Sequence, residues 1–490
     1  MKKRYLFIIF ILVVKCFFSA CQVYQSPVQN IEENRLRNAV RIHPVHELAY
    51  VRLAQYLEIQ GRYNETFSVL RVGQQRITET IALVRLEGAL FQRLGLYNDA
   101  YKFYSEQITR HSKEALLYLD RAKLSWRMKK KQLSLADALK VITLQPDLFE
   151  AHFLIGVIYS METGPNVLDQ SEKALDSFIR ASEINDQNPD LWFRISALWE
   201  MRNNTAKAKL AMLRAVELSP ESKLYLRQLV FLQEKELGQA IHGKTLKIQE
   251  DLRQTLLHML KLFPDSSWAE AHFGNWAWSQ EKYATAEKHL RRALILKSNY
   301  PWASFRLGVV YLSQKKWESA LLSFEEGLKN DAENEWAIQQ VAHALEMLGK
   351  NEQAIERYEW LMKNSPANLL VINHLNRLYW NEFLFEKGEN TLLRGLEKFP
   401  TATGLIEKLV DYYESHGLFE KAAKILSSFL QFEPNNSAAL AKIGFYEKKL
   451  NRPVKAIAFF NKALAVSSDF EWALIQKIGL LLKTENSKYA

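Results

Sequence analysis

Residues of one kind recur along this chain at a fixed interval of 34. Pro366, Pro400 and Pro434 keep that step, as do Trp268, Trp302 and Trp336. Ala320, Ala354, Gly388, Ala422 and Ala456 form a third series, and Gly274 and Gly308 a fourth. A globular core draws on residues scattered through the sequence and has no cause to repeat. A period of about 34 requires like supersecondary units, each burying its apolar face against its neighbours. Single cores stop growing near 250–300 residues, and a repeat stack is free of that limit. The 490 residues here, 48% of them hydrophobic, suit such a stack.

Residues 301–334 show what one unit contains. Trp317, Ala320, Leu321, Phe324 and Leu328 fall at i, i+3, i+4, i+7 and i+11, the apolar stripe of an amphipathic helix. Leu307, Gly308 and Tyr311 belong to a preceding helix, and Gln314, Lys315 and Lys316 form a polar turn between the two. Gly308 and Ala320 are small where the helices cross, since larger side chains would hold the backbones apart. This arrangement resembles the tetratricopeptide repeat, with its W-x2-L-G-x2-Y, A-x3-F and P pattern.

Twelve units fit the frame between residues 47 and 470. Their first small position reads Ala54, Gly88, Ala122, Gly156, Ser196, Val230, Gly274, Gly308, Ala342, Asn376, Val410 and Gly444. Unit 149–188 carries extra residues near Thr163–Asn166, a turn signal. Unit 223–266 is longer still, with Val230 and Leu252 at its small positions. It is expected to distort the stack and leave two subarrays, 47–222 and 267–470. Residues 31–46 read as a half-repeat and 471–490 as a closing helix with a tail, because a solenoid must cover its last apolar face. The resemblance implies an all-α, right-handed superhelical solenoid of about twelve helix-turn-helix units.

The N-terminus begins with Lys2, Lys3 and Arg4, followed by an apolar core from Tyr5 to Val14 that is too short to span a bilayer. Phe18-Ser19-Ala20-Cys21 resembles the lipobox of bacterial lipoproteins. That resemblance implies a signal peptide at 1–20, acylation of Cys21, a tether at 21–30 and, with Gln22 next, an outer-membrane lipoprotein. Cys16 would leave with the signal, so no disulfide is expected. Removing the four basic residues of that segment from 65 leaves 61 against 55 acidic ones, a mild excess for this length. Nucleic-acid binding wants a concentrated basic stripe. Runs such as Lys129-Lys130-Lys131 sit instead at interhelix turns, so no nucleic-acid partner is expected.

Gly238 to Thr245 satisfies G-x4-G-K-[ST], the phosphate-cradling P-loop. A P-loop follows a buried strand and opens a helix, whereas Gln233–Leu237 is polar and helix-prone. The segment therefore reads as a surface loop, with nucleotide binding a remote alternative. H-E-x-x-H, C-x-x-C and G-x-S-x-G are absent from the sequence, and no His pairs with Cys at ligand spacing. The expectation is a non-enzyme with neither metal nor cofactor.

The resemblance places the first helix of each unit on an inner groove, with contacts from its positions 2, 5, 6, 9 and 12. Across units 267–402 this register yields Trp268, His272, Trp278, Trp302, Phe305, Arg306, Trp336, Gln340, His343, His374, Arg377 and Trp380 as partner-binding candidates. Trp and Arg dominate interface hot spots. For Trp268, Trp302 and Trp336, closing the core is an equally natural role. The two-Lys, two-Asn clamp of chaperone-binding relatives is not reproduced. The functional expectation is a lipid-anchored envelope scaffold that seats an extended protein segment or a helix. Pilus or outer-membrane assembly and exopolysaccharide export, with a polysaccharide as possible partner, are the alternatives.

Overall fold

The computed structural model describes residues 27–78, 80–161, 167–240 and 245–486, and its secondary structure there is 26 α-helices without a strand. The signal-peptide and lipobox residues lie outside the described residues. Helices alternate between the two halves of each repeat. Pro301–Ser313 and Trp317–Leu328 form one pair, Glu335–Met347 and Asn351–Asn364 the next, then Leu369–Asn381 and Phe385–Lys398. The protein divides into two compact units on either side of the Ile248–Gln249 bond.

Local chemistry marks where several helices begin. Pro189, Pro301 and Pro453 occupy the first turn of their helices, where a missing N–H costs nothing. Asn334, Asn368 and Asn436 cap theirs, with the Asn334 Oδ1 accepting from Ala337 N at 2.9 Å. Between paired helices the chain turns through one left-handed residue, such as Gly349 (φ 72°) or Gly417 (φ 69°). Glycine meets that conformation without steric cost.

Paired helices meet at the small positions. A Cβ on Gly308 would lie 2.8 Å from the Phe324 ring, and one on Gly156 2.6 Å from Phe178. The backbones therefore approach to the distance set by one aromatic ring laid on a bare Cα. Polar exceptions at these positions are satisfied rather than stranded. Ser196 Oγ donates to Ala208 O at 2.7 Å, Ser134 Oγ to Ala122 O at 2.8 Å, and Asn376 Nδ2 to Gly388 O at 3.1 Å.

Neighbouring pairs are joined by buried tyrosines. Tyr311 donates its hydroxyl to Glu287 at 2.8 Å and Tyr446 to Glu414 at 2.8 Å, each reaching the preceding pair. At the start of the first unit, Arg62 ties Glu33 of helix Pro27–Ile42 to Glu65, both at 2.7 Å. At the far end of the second unit, Ala473 and Leu480 of helix Glu471–Asn486 join the core of Leu440, Phe460 and Ala463. Gly238 lies inside helix Lys223–Gln239 and Thr245 opens the next helix. The P-loop-like segment thus follows a helix, not a strand, and its residues 241–244 lie outside the described ones.

Candidate functional site

All twelve groove candidates lie in the second compact unit, on four first helices: Ser267–Ser279, Pro301–Ser313, Glu335–Met347 and Leu369–Asn381. The structure brings nine of them together in three groups. In the first, the His272 ring lies 3.8 Å from Trp268 and stacks at 4.6 Å on Trp302, and the Arg306 guanidinium sits 5.3 Å over Trp302. These rings and the cation support one another across two repeats. Trp278 donates its indole N–H to Ser313 Oγ at 2.9 Å, again across repeats.

Phe305 and Trp336 behave differently. Phe305 is buried, its ring where a Cβ on Gly327 would fall, and it stands 6.2 Å from Trp336. Trp336 meets Phe324 edge-on at 5.8 Å while 47% of it stays exposed. Phe305 therefore serves the core, and Trp336 covers that core with one side open to solvent. Gln340 is half-buried on the same helix.

The second group is electrostatic. His374 Nδ1 contacts Glu346 Oε2 at 3.0 Å, Arg377 pairs with the other carboxylate oxygen, and His343 stands 6.1 Å from His374. Burial raises the Glu346 carboxyl, but the His374 hydrogen bond and the Arg377 charge outweigh it and hold the group below the ordinary carboxylate range. Burial, seconded by His374, pushes His343 below the ordinary imidazole value. Glu346 thus holds the headgroup of Arg377 in place.

The third group opens into a cleft of about 750 Å³ between helices Leu369–Asn381 and Thr403–Ser415. Its lining includes His374, Arg377 and Trp380 together with Asn373, Asn381, Lys408, Asp411, Tyr412 and Ser415. Trp380 and Tyr412 pack edge to face at 5.0 Å on one side. Lys408 Nζ donates to Asn373 Oδ1 at 2.8 Å. The Trp380 indole nitrogen lies on Gly388, where a Cβ would come within 2.2 Å of it, and finds no acceptor. A second cleft of about 820 Å³, lined by Glu335, Ser365, Leu370 and Phe399, shares Asn373 and His374 with the first.

Lys408, Asp411, Tyr412 and Ser415 were not among the sequence candidates. Carrying the same register one unit further, onto helix Thr403–Ser415, reaches Lys408 and Asp411 at positions 6 and 9. Tyr412 and Ser415 lie off that register and become visible only with the fold. Among the described residues no group of three or more His, Cys, Asp or Glu could hold a metal ion. No helix among them is long and apolar enough to cross a membrane.

The tetratricopeptide repeat family model matches residues 273–335. Protein O-mannosyl-transferase TMTC3 of Homo sapiens is 24% identical over 288 residues, 58% of this chain and 30% of that protein. The chain thus spans about a third of that relative's length, and the mannosyl transfer is the relative's. The TPR repeat-containing protein YpiA of Bacillus subtilis (strain 168) is 21% identical over 328 residues, 65% of this chain and 72% of that one. Among solved structures, the APC/C hetero-tetramer Cut9-Hcn1 superposes with a TM-score of 0.31 at 12% identity, covering 92% of this chain and 93% of that one. The interval of 34, the helix pairs crossing at small residues and the matched stretch agree: the chain is an all-α stack of paired helices that carries a tetratricopeptide repeat match at residues 273–335.

Proposed function

We propose that this scaffold seats an extended segment of a partner protein on the second compact unit, along the first helices from Glu335 to Ser415. The observation that carries the reading is the pair of clefts, about 820 and 750 Å³, that meet at Asn373 and His374. Together they make a track longer than one side chain needs. Its chemistry suits a peptide: Asn373 and Asn381 offer amides, Arg377 and Lys408 bring positive charge and Asp411 negative charge, and Trp380 with Tyr412 supply flat apolar faces. The helices are pre-organised by packing, so ordering costs fall mainly on the peptide. The test is a titration with labelled peptides selected on the intact protein. Arg377→Glu with Lys408→Glu should weaken binding at least tenfold, and unchanged affinity would overturn the reading.

The same proposal includes the membrane. Phe18-Ser19-Ala20-Cys21 supports acylation of Cys21 and attachment to the outer membrane of a bacterial envelope. Each buried CH2 of the acyl chains contributes about 0.8 kcal/mol, so two or more chains hold firmly. Cys21→Ser should move the protein from the membrane fraction to the soluble one. Retention after a high-salt wash would contradict the anchor.

A further inference from the structure

The left-handed residue of the interhelix turn follows the repeat register. It is Gly61, Gly95, Gly349 or Gly417 in four units, Asn203 or Asn451 in two, and Lys129, Glu281 or Lys315 in three. At Phe383, with φ 58°, the same position holds an aromatic residue. An L side chain at positive φ crowds its own carbonyl, a cost that glycine avoids and asparagine softens. A bulky side chain there is an outlier whose strain points to a function.

Burial does not repay that cost. Phe383 is 78% exposed, the most exposed aromatic side chain among the described residues. The turn makes no demand for it either. Phe383 N donates to Trp380 O at 3.2 Å, as Gly349 N donates to Glu346 O at 3.0 Å in the preceding unit. The ring does have company: it stands edge-on to Phe385 at 6.1 Å. Phe385 in turn stacks at 6.4 Å on Tyr412 and meets Trp380 edge-on at 6.3 Å. Tyr412 and Trp380 line the cleft. An unbroken run of rings therefore leads from the cleft, over the edge of the repeat, to an exposed and strained phenylalanine.

We propose that Phe383 and Phe385 form an apolar rim that grips one aliphatic or aromatic side chain of the peptide lying in the cleft. The inference rests on the peptide reading of that cleft and adds a specificity element to it. The amides and charged groups among the cleft's lining residues, Asn373, Arg377, Asn381, Lys408 and Asp411, engage the peptide's main chain and charges. The rim then selects segments that carry an apolar residue just beyond the cleft. The strain at Phe383 is stored in the free protein and persists because the ring is wanted at the turn tip.

Dodecapeptides selected from a random display library on the intact protein, then labelled with fluorescein, provide the probe. Phe383→Gly should weaken the selected peptide at least tenfold while the melting temperature stays level or rises by a few degrees, because glycine relieves the turn. Replacing the peptide's apolar rim residue by serine should weaken wild type equally and leave Phe383→Gly nearly unaffected. Wild-type affinity in Phe383→Gly, with binding lost in Arg377→Glu/Lys408→Glu, would overturn the rim and leave the cleft reading standing. Wild-type affinity in both variants would overturn both. A lower melting temperature in Phe383→Gly would make the ring a structural element and would also overturn the rim.

Discussion

Replacing Gly88 by alanine adds one methyl group where the structure leaves no room. The new Cβ would lie 2.3 Å from Tyr104 Cζ and 2.5 Å from both Cε1 and Oη. Carbon atoms in contact prefer about 3.5–4.0 Å, so the overlap exceeds about 1 Å. Tyr104 is buried, and its hydroxyl accepts from Gln92 at 3.2 Å, so the ring has no free path out. Overpacking of this kind costs about 1–3 kcal/mol, and the severity of the overlap puts Gly88 at the upper end. Alanine returns about 1 kcal/mol through its helix propensity. The net loss is therefore about 2 kcal/mol, local to residues 81–114 because each unit packs only on its neighbours. The same substitution at Gly156, Gly308 and Gly444 meets nearest atoms at 2.6, 2.8 and 2.9 Å. The losses should fall in that order, toward zero at Gly444. Native-state hydrogen exchange of the amides in each unit reads the effect directly. A second substitution, Tyr104→Leu, should recover part of the loss, since Ala54 and Leu70 already share one core in another unit. Exchange in Gly88→Ala equal to wild type, or a series without the distance order, would refute the crossing argument.

Acid should weaken the His343–Glu346–His374–Arg377 cluster in two steps. His343 is held below its ordinary value of 6.5, so the unfolded chain binds more protons there, and stability is lost as the pH falls through 6.5. Glu346 is held below its ordinary 4.5, so its contribution is intact above that value and is lost as the pH falls further. Urea unfolding of wild type between pH 8 and 2 should show both losses, and Glu346→Gln should flatten the second; a wild-type curve flat over this span would contradict the cluster. Limited proteolysis should cut first within 237–246, just ahead of the Ile248–Gln249 division between the two compact units. Early cuts elsewhere with this stretch resistant would count against a boundary there.

The helix pairs were legible in the sequence because their determinants are local and periodic. A small residue at the crossing, an apolar stripe and a polar turn recur in register, and Gly308, Phe324 and Lys315 state the rule in one unit. The candidate site was legible only in part. The register named Arg377, His374 and Trp380, which do line the cleft. It also named Phe305, whose ring turns into the core against Phe324 and Gly327. A groove position differs from a core position by a small rotation about the helix axis, and periodicity does not resolve that. Glu346 was invisible for another reason: its partners His374 and Arg377 belong to the next repeat, 28 and 31 residues on. Phe383 was hidden too, since an exposed aromatic carries meaning only once its backbone is known to be left-handed.

A partner seated on helices Leu369–Asn381 and Thr403–Ser415 would leave a footprint on them. The most direct measurement is mild crosslinking of the tagged full-length protein in its own host, then purification and mapping of crosslinked residues. Wild type is run beside Arg377→Glu/Lys408→Glu, whose folding is verified by its melting curve. One specific protein should be captured, with crosslinks that fall along Glu335–Ser415 and vanish in the folded variant. A partner that persists in the variant, or whose crosslinks fall on the second helices of these repeats, would contradict that placement.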